Sequence, residues 1–121
     1  MATHEVHVKD NPQGGGYKYK VRKVRGYGGD LLTFKVKDKG HLFFPHGKEL
    51  FIEGKTVYEI PGNGEVTVQL LPDRKLKEHF GPKFPKEFRY AVYCEKGGES
   101  GEGDFAESES APVIIIDEST K

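Results

Sequence analysis

The sequence predicts an all-β protein, a two-sheet antiparallel sandwich or small barrel of about eight short strands. Three observations carry this. Apolar and polar residues alternate with a period of two in several separate windows, the signature of half-buried strands. The windows are separated by turn residues, of which the 121-residue chain holds 16 Gly and 7 Pro. One segment alone, Asp73 to Phe80, reads as a helical turn, and Gly81-Pro82 ends it.

Taken in order, Glu5-Val6-His7-Val8-Lys9 places Val6 and Val8 on one face and polar groups on the other. Asn11 to Gly16 then breaks the chain. Tyr17 to Arg22 alternates again, but Val24 falls one residue out of phase. A β-bulge or a change of sheet near Arg22-Lys23 produces such a slip. After the Gly26-Tyr27-Gly28-Gly29 turn, Leu32 to Lys37 alternates cleanly. Leu50-Phe51-Ile52 and Thr56 to Ile60 read as two further short strands. Pro61-Gly62-Asn63-Gly64 is a turn in which Pro presets φ, and Glu65 to Leu70 is the strand after it. Phe88 to Cys94 reads as one strand with Phe88, Tyr90, Val92 and Cys94 on a common face. Val113 to Ile116 is a β-branched run typical of a buried strand.

The chain is long enough for a single domain spanning 1–121 with its own core. It has no apolar run long enough for a transmembrane helix, so membrane insertion is not expected. One cysteine excludes an internal disulfide. The 19 basic and 19 acidic side chains cancel, which argues against a general nucleic-acid or membrane-surface binder. The distribution is uneven, however. Residues 1–94 hold 17 basic and 11 acidic groups, whereas residues 95–121 hold 2 and 8. The stretch 95–110, rich in Gly, Glu and Ser, is expected to be a flexible acidic loop between two strands. The N-terminus opens straight into polar residues. That predicts a cytoplasmic protein, or an extracytoplasmic (periplasmic or secreted) one if Met1 replaces a removed signal peptide.

Four segments resemble the cupredoxins, the plastocyanin-like blue-copper family. Gly29 to Val36 is similar to the strand leading to the first histidine ligand, and His41 follows after a turn. Ile60 to Val68 resembles the family's Pro-Gly turn and the strand after it. Phe88 to Glu95 resembles the strand that delivers the copper cysteine, and Val113 to Ile116 the closing strand. The resemblance implies a Greek-key β-sandwich and, in a complete member, copper held by two imidazoles and a thiolate with a weak axial ligand. This chain departs from that pattern after Cys94, where Glu95-Lys96-Gly97-Gly98-Glu99-Ser100 carries neither the second histidine nor the methionine.

Two functions from different classes follow. The first is a metal-free protein- or ligand-binding module that keeps the sandwich and has lost the copper site. The second is a copper-binding electron-transfer protein with a rebuilt ligand set of His41, Cys94 and His46, the last standing in Phe44-Pro45-His46-Gly47. Zinc is an alternative metal for that set. Cys94 reads first as a small core residue, with metal ligation the lesser reading, and His41 reads equally as a ligand or as a polar residue opening a strand. His4 and His7 read as surface groups, and His79 as a decoration of the helical turn. For a protein partner, the interleaved Tyr17, Lys18, Lys20, Arg22, Lys23 and Arg25 form a basic face. Glu99, Glu102, Asp104, Glu107 and Glu109 form an acidic counterpart, which the basic strand could hold or which could meet a partner. A single-stranded nucleic acid stacking on the 17–27 segment is a distant third reading. No enzyme is expected. The carboxylates cluster only in the 95–110 stretch, and neither glycine run joins a strand to a helix as a phosphate loop does.

Overall fold

The computed structural model describes residues 2–10, 19–21, 23–36, 39–61, 64–95, 103–106 and 112–117. These are mostly strands in two sheets. The larger sheet is built from β1 (Thr3–Asp10), β2 (Tyr19–Val21), β4 (Leu31–Val36), β5 (Gly40–Phe43), β6 (Val57–Ile60), β7 (Gly64–Gln69), β9 (Ala91–Glu95) and β10 (Gly103–Ala106). Its strand order is β6-β5-β9-β10-β2-β1-β4-β7. The smaller sheet has the order β3-β11-β8, with β3 at Val24–Tyr27, β8 at Lys86–Arg89 and β11 at Val113–Asp117.

Alternation located most of these strands. In β4 and β7 the register runs from Leu31 opposite Gln69 to Val36 opposite Gly64, and Leu32, Phe34 and Val68 point into the core. Across the same ladder the Thr33 and Thr67 hydroxyls lie 2.9 Å apart, so the buried polar residue of β4, on the face opposite Leu32 and Phe34, has a partner. The phase slip near Arg22-Lys23 marks a change of sheet, with β2 in the large sheet and β3 in the small one. The helical turn is α2 (Asp73–Phe80), ended by Gly81 at φ 87°, a conformation that favours glycine.

Several elements differ from the expectation. Eleven strands are present among the described residues rather than about eight. The pairing is mixed: β1–β4, β11–β3 and β10–β2 run parallel, and the other ladders antiparallel. Residues 50–52 do not form a strand. Gly47–Leu50 is instead the short helix α1, and Phe51 makes a single bridge to Leu70. Leu50 and Phe51 are consecutive and both buried, which a strand with one buried face cannot provide. The 88–94 segment is two strands in different sheets, broken at Tyr90, whose N–H donates to the Pro112 carbonyl. Phe88, Tyr90 and Val92 all remain buried across the break, so their alternation continues through it. Within the stretch expected as a loop, Gly103–Ala106 is strand β10, paired antiparallel with β9 and parallel with β2 at Ala106–Tyr19. The rest of 96–110 lies outside the described residues.

The inner faces of both halves of the large sheet and of the small sheet meet in one core. At its centre Phe44 stacks on Tyr90 at 5.3 Å and stands edge-on to Phe51 at 4.8 Å and Tyr58 at 5.8 Å. Phe34, from the opposite side of the core, contacts Phe44 and Tyr90, each at 5.5 Å. Such tilted and offset contacts suit the ring quadrupoles. The Tyr90 hydroxyl is buried there with no hydrogen-bond partner among the described residues, and burial pushes its ionisation far above the ordinary phenol range.

Candidate functional site

Strand β5 lies between β6 and β9, so its residues form rows across three strands. Gly40 and Leu42 are buried, and the intervening His41 and Phe43 face outward. His41 stands opposite Glu59 on one side and Tyr93 on the other. Phe43 stands opposite Val57 and Ala91. Phe43 is 46% exposed and Val57 49% exposed, so a cross-strand apolar pair faces solvent beside the outermost strand of the sheet. The outer face therefore carries an apolar row, Val57–Phe43–Ala91, next to a row of Glu59, His41 and Tyr93.

Neither Phe43 nor Val57 was singled out in the sequence, yet a signal was there. In His41-Leu42-Phe43-Phe44, Leu42 and Phe44 share one phase, which leaves Phe43 on the other side of the sheet. In Val57-Tyr58-Glu59-Ile60, Tyr58 and Ile60 take the core and Val57 and Glu59 face out.

The candidate copper ligands do not meet as a set. Cys94 occupies the register position opposite Gly40, one step from the His41–Tyr93 pair, so positions 41 and 94 lie on adjacent strands. His46 is elsewhere. Its ring packs against Phe88 at 5.6 Å and Phe80 at 6.1 Å, just before α1. Among the described residues no three His, Cys, Asp or Glu side chains converge on one point. Among the described residues no trigonal His, His, Cys centre is formed.

Of the residues proposed for a basic face, Lys23 is exposed and Arg25 is exposed but paired with Asp117 on the neighbouring β11. Lys20 lies in β2 and Asp104 in β10, strands that are neighbours in the large sheet. Tyr17, Lys18, Arg22, Glu99, Glu102, Glu107 and Glu109 lie outside the described residues. His7 is exposed, 3.4 Å from the Glu5 carboxylate, and His79 is exposed in the last turn of α2.

His4 is not simply a surface group. Its Nε2 lies 2.7 Å from Asp30 Oδ2, and the Asp30 side chain is only 6% exposed. The Ala2 and Tyr27 N–H groups also donate to this carboxylate, each at 3.0 Å. Burial alone pushes the Asp30 carboxyl up. The hydrogen bonds from His4, Ala2 and Tyr27 outweigh that and hold it below the usual carboxylate range. Asp30 therefore fastens the start of β1 to the turn after β3, a structural role distant from the Phe43 face.

No family model and no curated protein matches the chain. Among solved structures it is similar to a pseudoazurin from Sinorhizobium, at 19% identity and a TM-score of 0.48, covering 99% of this chain and 77% of that one. It is also similar to a multicopper oxidase from Pseudomonas thermotolerans (12% identity, TM-score 0.49, 98% of this chain and 30% of that one). A copper nitrite reductase from Nitrosomonas europaea aligns at 16% identity and a TM-score of 0.45, over 99% of this chain and 42% of that one. This chain thus spans less than half the length of either enzyme. These are likenesses of strand arrangement, and no residue role passes from them to this chain.

Proposed function

We propose that this protein is a cupredoxin-like β-sandwich that acts as a metal-independent protein-binding module, with the outer face of β6, β5 and β9 as its contact surface. One observation carries the reading: Phe43 and Val57 are directly opposed on the outermost ladder and each is about half exposed. An aromatic residue beside an aliphatic one, bordered by an imidazole and a carboxylate, has the make-up of an interface centre with a polar rim. Each is already half-buried, so a docked partner recovers about half of the roughly 1.5–3 kcal/mol that full burial of a large apolar side chain is worth.

Selection of peptides from a random phage-displayed library tests the surface. Peptides that bind the wild-type protein are expected to bind Phe43→Ser about tenfold or more weakly, as an interface-centre residue requires. The thermal midpoint should stay nearly constant, because residue 43 is exposed. Selected peptides that bind Phe43→Ser and Val57→Ser as well as the parent would contradict the reading.

A second reading is a copper site built on His41 and Cys94. It is the weaker one, because their register pairs are consecutive on the β5–β9 ladder and consecutive positions of a strand alternate between its two faces. It requires at least one further ligand from residues other than His46, whose ring is held at Phe88 and Phe80.

A further inference from the structure

Strand β6 ends the order of the large sheet, and among the described residues no strand pairs with its outer edge. The hydrogen-bond phase of that edge can be read from its inner side. The Phe44 N–H donates to the Thr56 carbonyl at 2.7 Å, so position 56 bonds inward to β5. In an antiparallel ladder bonded and non-bonded pairs alternate, which makes Phe43–Val57 and His41–Glu59 the non-bonded pairs. The N–H and C=O groups of Val57 and Glu59 therefore point away from β5, toward the open edge. An edge of this kind is a template for strand addition.

Val57 and Glu59 of β6, and Lys55 two residues before it, are all exposed, the Lys55 ammonium lying 5.6 Å from the Tyr58 ring centroid. This series is complementary to itself when reversed. If two β6 strands pair antiparallel about Val57, each Val57 exchanges two backbone hydrogen bonds with its counterpart. Lys55 then falls opposite Glu59 of the second copy, and Glu59 opposite its Lys55. Opposite charges facing across an antiparallel pair stabilise it, and like charges destabilise it. The apolar rows join as well, since Val57–Phe43 of one copy continues into Val57–Phe43 of the other. Backbone phase, charge order and apolar row all select one register.

We infer that the occupant of this edge is a second copy of the chain, forming a two-fold dimer through antiparallel β6–β6 pairing centred on Val57. Such an interface is isologous, and it leaves no open edge at that side of either sheet. The inference rests on the proposed contact surface and names its partner.

Sedimentation velocity on the full chain, from low to high micromolar concentration, tests it. The wild type should pass from monomer to dimer with concentration. Val57→Lys, which sets two ammonium groups against each other at the two-fold axis, should stay monomeric. Lys55→Glu and Glu59→Lys should each weaken the dimer about tenfold, since each places two like-charge pairs in the interface. The double variant K55E/E59K, which restores opposite charges in swapped order, should recover most of the wild-type affinity. It serves equally if Val57→Lys fails to fold. A wild type that is monomeric throughout, dimerisation unchanged by Val57→Lys, or a double variant no better than the single ones overturns the inference. If the chain is monomeric while displayed peptides still require Phe43, this inference alone fails; if neither occurs, the contact-surface reading fails too.

Discussion

Replacing Phe44 by alanine is expected to cost about 3–5 kcal/mol of stability, the range for removing a large buried ring. Phe44 is 1% exposed and touches four other rings, those of Phe34, Phe51, Tyr58 and Tyr90. These four come from β4, the segment after α1, β6 and the β8–β9 break, so no single element can shift to fill the void. The cavity term therefore adds to the lost transfer energy, and the aromatic contacts are forfeited with it. Urea or guanidinium unfolding with a fixed m-value gives the number. Phe44→Leu keeps most of the volume and should lose markedly less. A loss below about 1.5 kcal/mol for alanine, the usual limit for a tolerated core swap, would show that the core is not organised around this ring.

Gly47→Ala is expected to be clearly destabilising although it adds only one methyl. A Cβ at position 47 would lie 2.0 Å from the Lys55 carbonyl oxygen and 2.9 Å from its carbon. These are backbone atoms of the segment leading into β6, so no side-chain rotation relieves the clash. Forcing extra carbon into such contacts costs about 1–3 kcal/mol or more. The edge strand would have to move off α1, taking Val57 and Glu59 with it. Thermal unfolding measures the loss, and amide exchange should show faster opening in β6 than in the β4–β7 ladder. Gly54→Ala offers a control of another kind. It meets no atom within 4 Å and is disfavoured only by its φ of 66°.

What could be read from the sequence divides along physical lines. Strands with one wet and one buried face, such as β4 and β7, announce themselves by alternation. The phase slip before Val24 likewise showed where the chain changes sheet. Tyr90 gave no such warning: the chain changes sheet there without changing the inward phase, because the residue at the corner is itself buried. Helix α1 spans four residues, too few for periodicity to register, and depends on the close approach of Gly47 to Lys55. The Asp30 hub joins groups 26 and 28 residues away, which local reasoning does not reach.

The site was legible in part. The resemblance of 88–95 to a cysteine-bearing strand singles out Cys94, and its strand β9 pairs with β5, which carries His41. Sequence distance suggested that His41 and His46 share a rim. The chain between them instead passes through buried Phe44, and His46 turns to the Phe80–Phe88 cluster. Charge patterning marks the basic 17–25 and acidic 99–109 segments as an interface and is silent on the uncharged Phe43 and Val57. Those two are the large apolar groups directly paired on an outer face.

Titration of the purified protein with Cu(II), followed by visible absorption and thermal unfolding, tests metal independence most directly. A ligand that binds the native state at a hundred times its Kd stabilises it by about 2.7 kcal/mol, so a true site would raise the midpoint by several degrees. No intense thiolate-to-copper absorption and no such rise are expected. An intense visible band accompanied by stabilisation, both abolished in Cys94→Ala, would contradict it.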